Sequence, residues 1–181
     1  MKLKIAQLGQ PVLWQPAAQV PPEEIAGEEL QRFLSDMRET LLDQKGAGLA
    51  APQVFSSRRV FLAAILPPPA EGQPRGIEVF INPRITGTSV ETHSAWEGCL
   101  SFPELLVLVE RRVAVRVEYL NEQGKECTID LSNFPARVIQ HEYDHIDGVL
   151  TLDRAASSRH IIKASEIDTV VPKEKEIDST D

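Results

Sequence analysis

The chain has 181 residues, 42% hydrophobic and 25% charged, with a formal net charge of −8 at pH 7. These values are typical of one globular domain, which we place at residues 1–168, followed by an acidic, flexible tail over residues 169–181. The negative charge excludes a broad nucleic-acid-binding surface, and no apolar run is long enough to span a membrane. Two cysteines and the lack of a signal-peptide pattern lead us to expect a cytoplasmic protein without a disulfide framework.

The first elements predicted along the chain are an irregular lead-in and one amphipathic helix. Prolines recur through residues 8–22 and prevent long regular elements there, so we expect an extended segment over the surface. Over residues 23–45, apolar residues recur at three- and four-residue steps between charged ones, which predicts a helix with one buried face. The apolar stripe of this helix consists of Leu30, Phe33, Leu34, Met37, Leu41 and Leu42.

Short apolar runs between turn residues predict a series of strands in the middle of the chain. The second of them is expected to end at Pro83, because proline cannot donate to a sheet ladder. The strands are predicted at residues 60–66, 78–83, 105–109, 113–120 and 127–131, with further short strands within 84–96, a proline-rich loop at 67–76 and a hairpin turn at 121–124.

Three features near the predicted strands and the C-terminus complete the prediction. The arginine pairs at residues 58–59 and 111–112 are interpreted as solvated strand ends. Residues 149–153 are expected to form a short strand or extended run. Residues 155–167 are expected to form a second, smaller helix.

The segment with the clearest chemistry is His-Glu-x-x-His, formed by His141, Glu142 and His145. On a helix, residues four apart lie one turn apart on one face, so both imidazoles can bind one metal ion. Glu142 cannot easily bind the same ion, but it can reach a water molecule there and act as a general base. Residues 136–140 permit a helix before the motif, and Gly148 is a plausible helix end.

Two imidazoles leave the metal site incomplete, because catalytic sites of this kind have three protein ligands. Cys99 is the strongest candidate, since it follows Gly98 and a thiolate suits zinc, iron or cobalt beside imidazole. Glu166 is the alternative, because one class of zinc peptidase has a glutamate about twenty residues downstream. His93 and His160 are isolated and are expected to have surface or hydrogen-bonding roles. We expect the α+β fold class, with short, mostly antiparallel strands around a central metal-binding helix.

Three segments resemble, in order, the motifs of the peptide deformylase family, and the resemblance covers roughly residues 5–155. They are Gly46-Ala47-Gly48-Leu49-Ala50-Ala51-Pro52-Gln53, Glu97-Gly98-Cys99-Leu100-Ser101 and Gln140-His141-Glu142-Tyr143-Asp144-His145. The resemblance implies a metal-dependent hydrolase that removes the formyl group from an N-terminal formylmethionine and releases formate. N-formylmethionyl peptides or nascent chains would be its substrates, with transient ribosome contact.

The resemblance also implies roles for individual residues. Cys99, His141 and His145 would hold one divalent ion, Fe(II) in first place, with Zn(II), Ni(II) or Co(II) as substitutes. Hydroxide generated at this ion would attack the formyl carbon, with Glu142 as general base and then acid. The remaining catalytic groups, which stabilise the oxyanion, would be the side chain of Gln53 and the backbone N–H of Leu100.

The peptide is expected to bind through its main chain, as an added strand would. Ala47 and Gly48 would lie on one side of the peptide and Gly98 on the other. Val138, one turn before His141, is expected to form a wall of the methionine pocket.

Two positions and the tail depart from the family pattern. Leu106 stands where many members carry an arginine, and Arg137 where others often have an aliphatic residue. The tail is acidic, whereas some members have a long basic helix there. These differences bear on substrate preference and on the strength of ribosome binding.

Two other functions stay open on the sequence alone. One is a zinc peptidase with His141, His145 and Glu166 as ligands, and the other is a non-catalytic peptide-binding protein. Replacing Cys99 with serine separates the first from a deformylase, because only a deformylase needs the thiolate to hold its metal. The presence of Glu142 beside the open metal position argues against the second.

Overall fold

A computed structural model describes residues 1–67 and 75–171. The helices are α1 (Pro22–Ile25), α2 (Glu28–Gln44), α3 (Asn133–Ile146) and α4 (Ile167–Val170). The strands are β1 (Gly48–Ala50), β2 (Val60–Leu66), β3 (Gly76–Thr88), β4 (Thr92–Gly98), β5 (Leu105–Arg112), β6 (Ala114–Leu120), β7 (Glu126–Ser132) and β8 (Ile161–Lys163). Short 3-10 helices occur at Pro11–Trp14, Ala51–Val54, Thr151–Arg154, Ser158–His160 and Ala164–Glu166.

The strands form two antiparallel sheets, and helix α3 packs against both of them. One sheet has the order β1-β2-β3-β6-β7 and the other β4-β5-β8. Helix α3 contacts β1 and β2 of the larger sheet and β5 of the smaller one. This arrangement confirms the predicted α+β fold with antiparallel strands around a central helix, the helix that carries His141 and His145.

The larger sheet is covered on both faces because its central strands are apolar on both sides. In β2, Phe61 packs in the core toward α3, whereas Leu62 packs in the core toward α2. Side chains alternate across a strand, so adjacent apolar residues fill opposite layers. Phe61 also stacks on Phe80 of β3, with ring centroids 4.8 Å apart. Helix α3 is therefore held on a rigid surface.

The helix predicted over residues 23–45 is broken in the structure. Gly27 has an extended backbone (φ −70°, ψ 144°) and separates α1 from α2. Leu42, predicted to belong to the buried stripe, is 51% exposed. The helix ends at Lys45, whose left-handed conformation (φ 52°) turns the chain into β1.

The prediction that a strand ends at Pro83 is wrong, because β3 continues to Thr88. The strand pairing shifts between Ile81 and Arg84, and Asn82 has a left-handed φ of 50°. This irregularity places the proline outside the regular hydrogen-bond ladder. The Asn82 side chain, bonded to both the N–H and the carbonyl of Val20, holds the irregularity in place.

The terminal segments also differ from prediction. Residues 149–153 were expected to form a short strand or extended run; Leu150 is extended (φ −104°, ψ 158°), but the chain forms a 3-10 turn at Thr151–Arg154. The helix predicted at 155–167 is wrong, because Ile161–Lys163 pairs with β5 as strand β8. The exposed edge of β5 offers hydrogen-bond partners that the local sequence pattern does not reveal. The segment of residues 8–22 was expected to extend over the surface, but Leu13 within it is fully buried.

Two predictions fall wholly or partly outside the described residues. Most of the proline-rich loop, residues 68–74, lies there, and so does most of the predicted tail, residues 172–181. Within the described residues 1–67 and 75–171, no helix combines the length and the apolar character that crossing a membrane requires.

Candidate metal centre

Three side chains from separate parts of the sequence converge where β4 meets α3. Cys99 directly follows β4, and His141 and His145 lie one turn apart on α3. Their ligand atoms all lie within 4.8 Å of one another, and the Cys99 Sγ is 3.3 Å from the His145 Nε2. The three residues that the resemblance assigns to a metal are therefore brought together.

The donor set and its spacing fit a divalent metal ion. Metal–sulfur distances of about 2.3 Å and metal–nitrogen distances of about 2.1 Å give ligand separations of roughly 3.5 Å in a tetrahedral site. The 3.3 Å separation of Cys99 Sγ and His145 Nε2 agrees with that value. The sulfur of Cys99 also accepts hydrogen bonds from the Ser101 N–H and the Gln53 Nε2, each 3.5 Å long.

Glu166, the alternative third ligand, is not part of this cluster. It lies in an exposed 3-10 turn, where its carboxylate accepts a hydrogen bond from its neighbour Ser165. The only described group of three potential ligands is Cys99, His141 and His145. The structure therefore gives the zinc-peptidase arrangement no support.

His141 is oriented by a carboxylate that the sequence analysis did not assign. Its Nδ1 lies 2.9 Å from Glu97 Oε2, which accepts the ring proton and leaves Nε2 facing the cluster. Such a carboxylate fixes the tautomer of a metal-binding histidine and its ring orientation. The Nδ1 of His145, in contrast, has no hydrogen-bond partner within the described chain.

Glu97 is held in turn by two arginines. Arg111 binds it with both Nε and Nη2, at 3.0 Å each, and the Arg137 Nη1 lies 2.7 Å from Oε1. Burial alone would raise the pKa of Glu97, but the hydrogen bonds from His141 and Arg111 outweigh it and lower the pKa to about 2. Glu97 is therefore an anion at neutral pH beside His141.

The interpretation of Arg111 as a solvated strand end is wrong, because its side chain is 5% exposed. It spans from Glu97 to Asp144, with Nη1 2.5 Å from Asp144 Oδ2. Asp144 also accepts two hydrogen bonds from Arg154, at 3.1 and 2.6 Å. A signal was available in the sequence: Arg111 continues the alternation of the inward-facing Val107 and Val109 along β5.

Glu142 lies beside the cluster in a buried position, where Gly48 leaves room for its carboxylate. It is 4% exposed, and its Oε2 has no hydrogen-bond partner among the described residues. Burial raises the pKa of Glu142 to about 7. A Cβ atom at Gly48 would lie 2.3 Å from Glu142 Oε1, so only glycine permits this close approach.

Gln53 is fixed with its amide nitrogen toward the cluster. Its Oε1 accepts a 2.9 Å hydrogen bond from the Ala50 N–H, and its Nε2 lies 3.3 Å from the Ser101 hydroxyl. The N-terminal segment joins the two loops: Ala6 N–H donates to the Gln53 carbonyl at 2.7 Å, and Leu8 N–H to the Ser101 carbonyl at 2.8 Å. The loops that carry Gln53 and Cys99 are thereby linked.

A cavity of about 390 Å³ opens onto the cluster. It lies between the edge strands of the two sheets, β1 and β4. His145 does not line it and is 1% exposed. The predicted site residues that do line it are Ala47, Gly48, Gln53, Gly98, Cys99, Leu100, Val138, His141 and Glu142. Every predicted site residue except His145 thus lines one cavity.

Comparison with known proteins agrees with this geometry. The family model described as polypeptide deformylase matches residues 2–160. The chain belongs to the peptide deformylase family. Peptide deformylase 2 of a Nostoc species is 41% identical over 173 residues, covering 94% of this chain and 96% of the relative. The peptide deformylase of Treponema pallidum is 43% identical over 159 residues, covering 88% and 90%.

Solved structures of peptide deformylases share the fold. A class I type b peptide deformylase from Acinetobacter baumannii, with Met-Ala-Ser bound, has a TM-score of 0.79 and 37% identity, covering 85% of this chain and 98% of its own. The peptide deformylase of Thermotoga maritima has a TM-score of 0.77 and 39% identity, covering 87% and 99%. Membership in this family makes the chain a hydrolase and implies a divalent metal.

Proposed function

We propose that this chain removes the N-formyl group from N-formylmethionyl peptides, giving formate and a free amino terminus. Cys99, His141 and His145 would hold the metal. The observation that carries the proposal is that one sulfur and two ring nitrogens converge beside a cavity, which is lined by Cys99, His141 and a buried carboxylate, Glu142. A binding protein has no use for a carboxylate at that position.

The three proposed ligands do not select a single metal. One thiolate and two imidazoles suit Fe(II), Zn(II), Ni(II) and Co(II), and we place Fe(II) first by resemblance. A bound ion would polarise the formyl carbonyl and make water nucleophilic at neutral pH. The residues around it have separate tasks.

Glu142 would act as general base and then as general acid. Its pKa of about 7 matches a group that takes a proton from the attacking water and returns it to the leaving amine. Its unpartnered Oε2 is available for that proton. The lack of a side chain at Gly48 leaves room for this carboxylate, because a Cβ atom there would lie 2.3 Å from Oε1.

The oxyanion that forms when water attacks the formyl carbon needs hydrogen-bond donors. The Nε2 of Gln53 is held near the cluster because its Oε1 is engaged by Ala50 N–H. The N–H of Leu100 directly follows Cys99, and we assign it as the second donor. Donors fixed before the reaction stabilise charge without reorganisation.

The peptide would bind between the edges of β1 and β4. Ala47 and Gly48 line the cavity on the β1 side and Gly98 on the β4 side, where backbone groups can pair with an extended chain. Val138, which is 5% exposed, would form an apolar wall of the pocket for the methionine side chain. The Acinetobacter baumannii structure, with Met-Ala-Ser bound, supports a peptide that begins with methionine.

The cellular setting belongs to the same proposal. We infer a cytoplasmic enzyme whose catalytic domain spans residues 1–168 and which acts on nascent chains in transient contact with the ribosome. The net charge of −8 supports a weak contact over a tight one, because ribosomal RNA repels an acidic surface.

The test is formate release from formyl-Met-Ala-Ser by protein purified anaerobically with Fe(II), compared with Zn(II)-loaded protein. We expect turnover with both metals and a loss of at least about 100-fold in Glu142→Gln. Glu166→Gln is the matched control and should keep full activity. Peptide-bond cleavage that depends on Glu166 would instead favour a zinc peptidase, and peptide binding without formate release would favour a binding protein.

A further inference from the structure

Arg137 connects the helix that carries the two histidines to both strands behind Cys99. It lies on α3, one turn before His141. Its Nη1 donates to Glu97 Oε1 at 2.7 Å and to the Val109 carbonyl at 3.0 Å, and its Nη2 donates to the His93 carbonyl at 2.5 Å. One guanidinium therefore binds α3, β4 and β5 together.

This connection leads directly to the metal ligands. Glu97 lies two residues before Cys99 on the same chain segment and accepts the Nδ1 proton of His141. A shift of β4 against α3 would therefore change the sulfur position and the imidazole orientation at once. The Arg137 side chain is 12% exposed, and its bonds to Glu97 and to the Val109 carbonyl are partly buried, so these two face less competition from water than the exposed bond to the His93 carbonyl.

We propose that Arg137 is a positioning residue that sets the separation of the thiolate and the two imidazoles. The proposal rests on the proposed function, since it assigns Cys99, His141 and His145 to one metal ion. Arg137 acts through Glu97 and through the His93 and Val109 carbonyls. A planar guanidinium reaches three acceptors with fixed geometry, whereas the single ammonium group of a lysine cannot match that arrangement.

Arg111 also binds Glu97, but its loss would have a different consequence. Without Arg111, both Glu97 and Asp144 would lose a buried cation. Without Arg137, Glu97 would keep both bonds from Arg111 and the bond from His141. An Arg137 variant should therefore fold, and its effect should appear in the metal geometry.

The experiment compares Arg137→Leu and Arg137→Lys with the wild type, with Arg116→Leu as control. Arg116 binds Asp130 on the exposed surface of β6 and β7. The first readout is the rate of zinc transfer to a chelator. The second is the absorption spectrum of the Co(II)-loaded protein, in which the thiolate-to-cobalt band reports the sulfur geometry.

Arg137→Leu should lose zinc about 10- to 100-fold faster and should shift the thiolate-to-cobalt band. Arg137→Lys should restore only part of both properties, and Arg116→Leu should match the wild type. Zinc release and a cobalt spectrum unchanged in Arg137→Leu would overturn the proposal, even if KM for the peptide rose. If Arg137→Leu does not fold, the same two readouts on Arg137→Lys decide.

Both readouts are independent of turnover. A wild type that binds zinc but releases no formate with either Fe(II) or Zn(II) would therefore refute the proposed function, while the zinc-release rates and cobalt spectra would still decide the role of Arg137. Zinc bound with no thiolate-to-cobalt band in the wild type would refute both.

Discussion

Two arginine–carboxylate pairs in this chain have nearly the same geometry in opposite surroundings. Arg111 binds Glu97 through two nitrogens at 3.0 Å, and both side chains are 5% exposed. Arg116 binds Asp130 through two nitrogens at 2.8 Å, and these side chains are 57% and 66% exposed. By hydrogen-bond distances alone the exposed pair would be the stronger.

The surroundings of a charged pair, and not its bond lengths, decide how much the pair contributes to the free energy of unfolding and what is lost when one partner is removed. Exposed pairs contribute about 0–1 kcal/mol to the free energy of unfolding, because water and salt screen them. A buried pair pays a desolvation cost comparable to its attraction, but removing one partner leaves an uncompensated charge. The buried Arg111–Glu97 pair therefore holds the carboxylate that orients His141. The Arg116–Asp130 pair lies on a solvated surface.

The largest expected effect separates the two pairs directly. Arg111→Met should lower the free energy of unfolding of the metal-free protein by up to about 3–5 kcal/mol, because the buried Glu97 and Asp144 lose this cation and keep only Arg137 and Arg154. Arg116→Met should leave it nearly unchanged, because water screens the exposed pair. Urea denaturation measures both values, and equal losses would show that burial does not distinguish the pairs.

The second prediction concerns the pH dependence of stability. Because the folded structure lowers the pKa of Glu97 from 4.5 to about 2, its ionisation stabilises the fold above pH 4.5. The contribution, roughly 3 kcal/mol at most, should be lost as pH falls from 4.5 through about 2. The stability difference between the metal-free wild type and Glu97→Gln should shrink over this range. A constant difference would contradict the prediction.

The third prediction moves from stability to the metal. Glu97→Gln keeps the size of the side chain but removes the anion that accepts the His141 proton. Zinc affinity should fall about 10- to 100-fold, as for other carboxylates that orient metal-binding histidines. Asp130→Asn, the equivalent change in the exposed pair, should leave affinity unchanged in a competition titration. A comparable loss in both variants would point to a general charge effect.

The smallest expected effect concerns an exposed hydrogen bond to Leu100, a residue of the candidate site. The exposed side chain of Gln7 donates a 3.1 Å hydrogen bond to the Leu100 carbonyl. Because one such bond contributes about 0.5–1.5 kcal/mol, Gln7→Ala should reduce kcat/KM for formate release by about 2- to 10-fold. Gln10→Ala, in the same exposed segment, is the matched control. An equal reduction in both variants would remove the role of the Leu100 contact.

The cluster of Cys99, His141 and His145 was predictable because its signal is local. His141 and His145 are one helical turn apart, and Cys99 follows a glycine in a short motif that the family shares. The pairing of β6 and β7 was predictable for a similar reason, since a hairpin turn joins adjacent alternating runs. In each case, neighbouring residues carried the information.

The network behind the ligands was not predicted because it depends on contacts between distant elements. Arg111 and Asp144 belong to a strand and a helix whose approach no spacing rule gives. Arg137 was noted only as a departure from a pattern. Strand β8 was missed for the same reason, since Ile161 and Ile162 pair with an edge that is visible only in the folded chain.

X-ray absorption spectroscopy of the protein loaded with one equivalent of zinc identifies the atoms that bind the metal. If Cys99, His141 and His145 hold the ion, the spectrum will show one sulfur at about 2.3 Å and nitrogen or oxygen donors at about 2.0–2.1 Å, two of them with imidazole scattering. Cys99→Ser should abolish the sulfur shell, and Cys127→Ser should keep it. A wild-type spectrum with only nitrogen and oxygen donors would contradict the account.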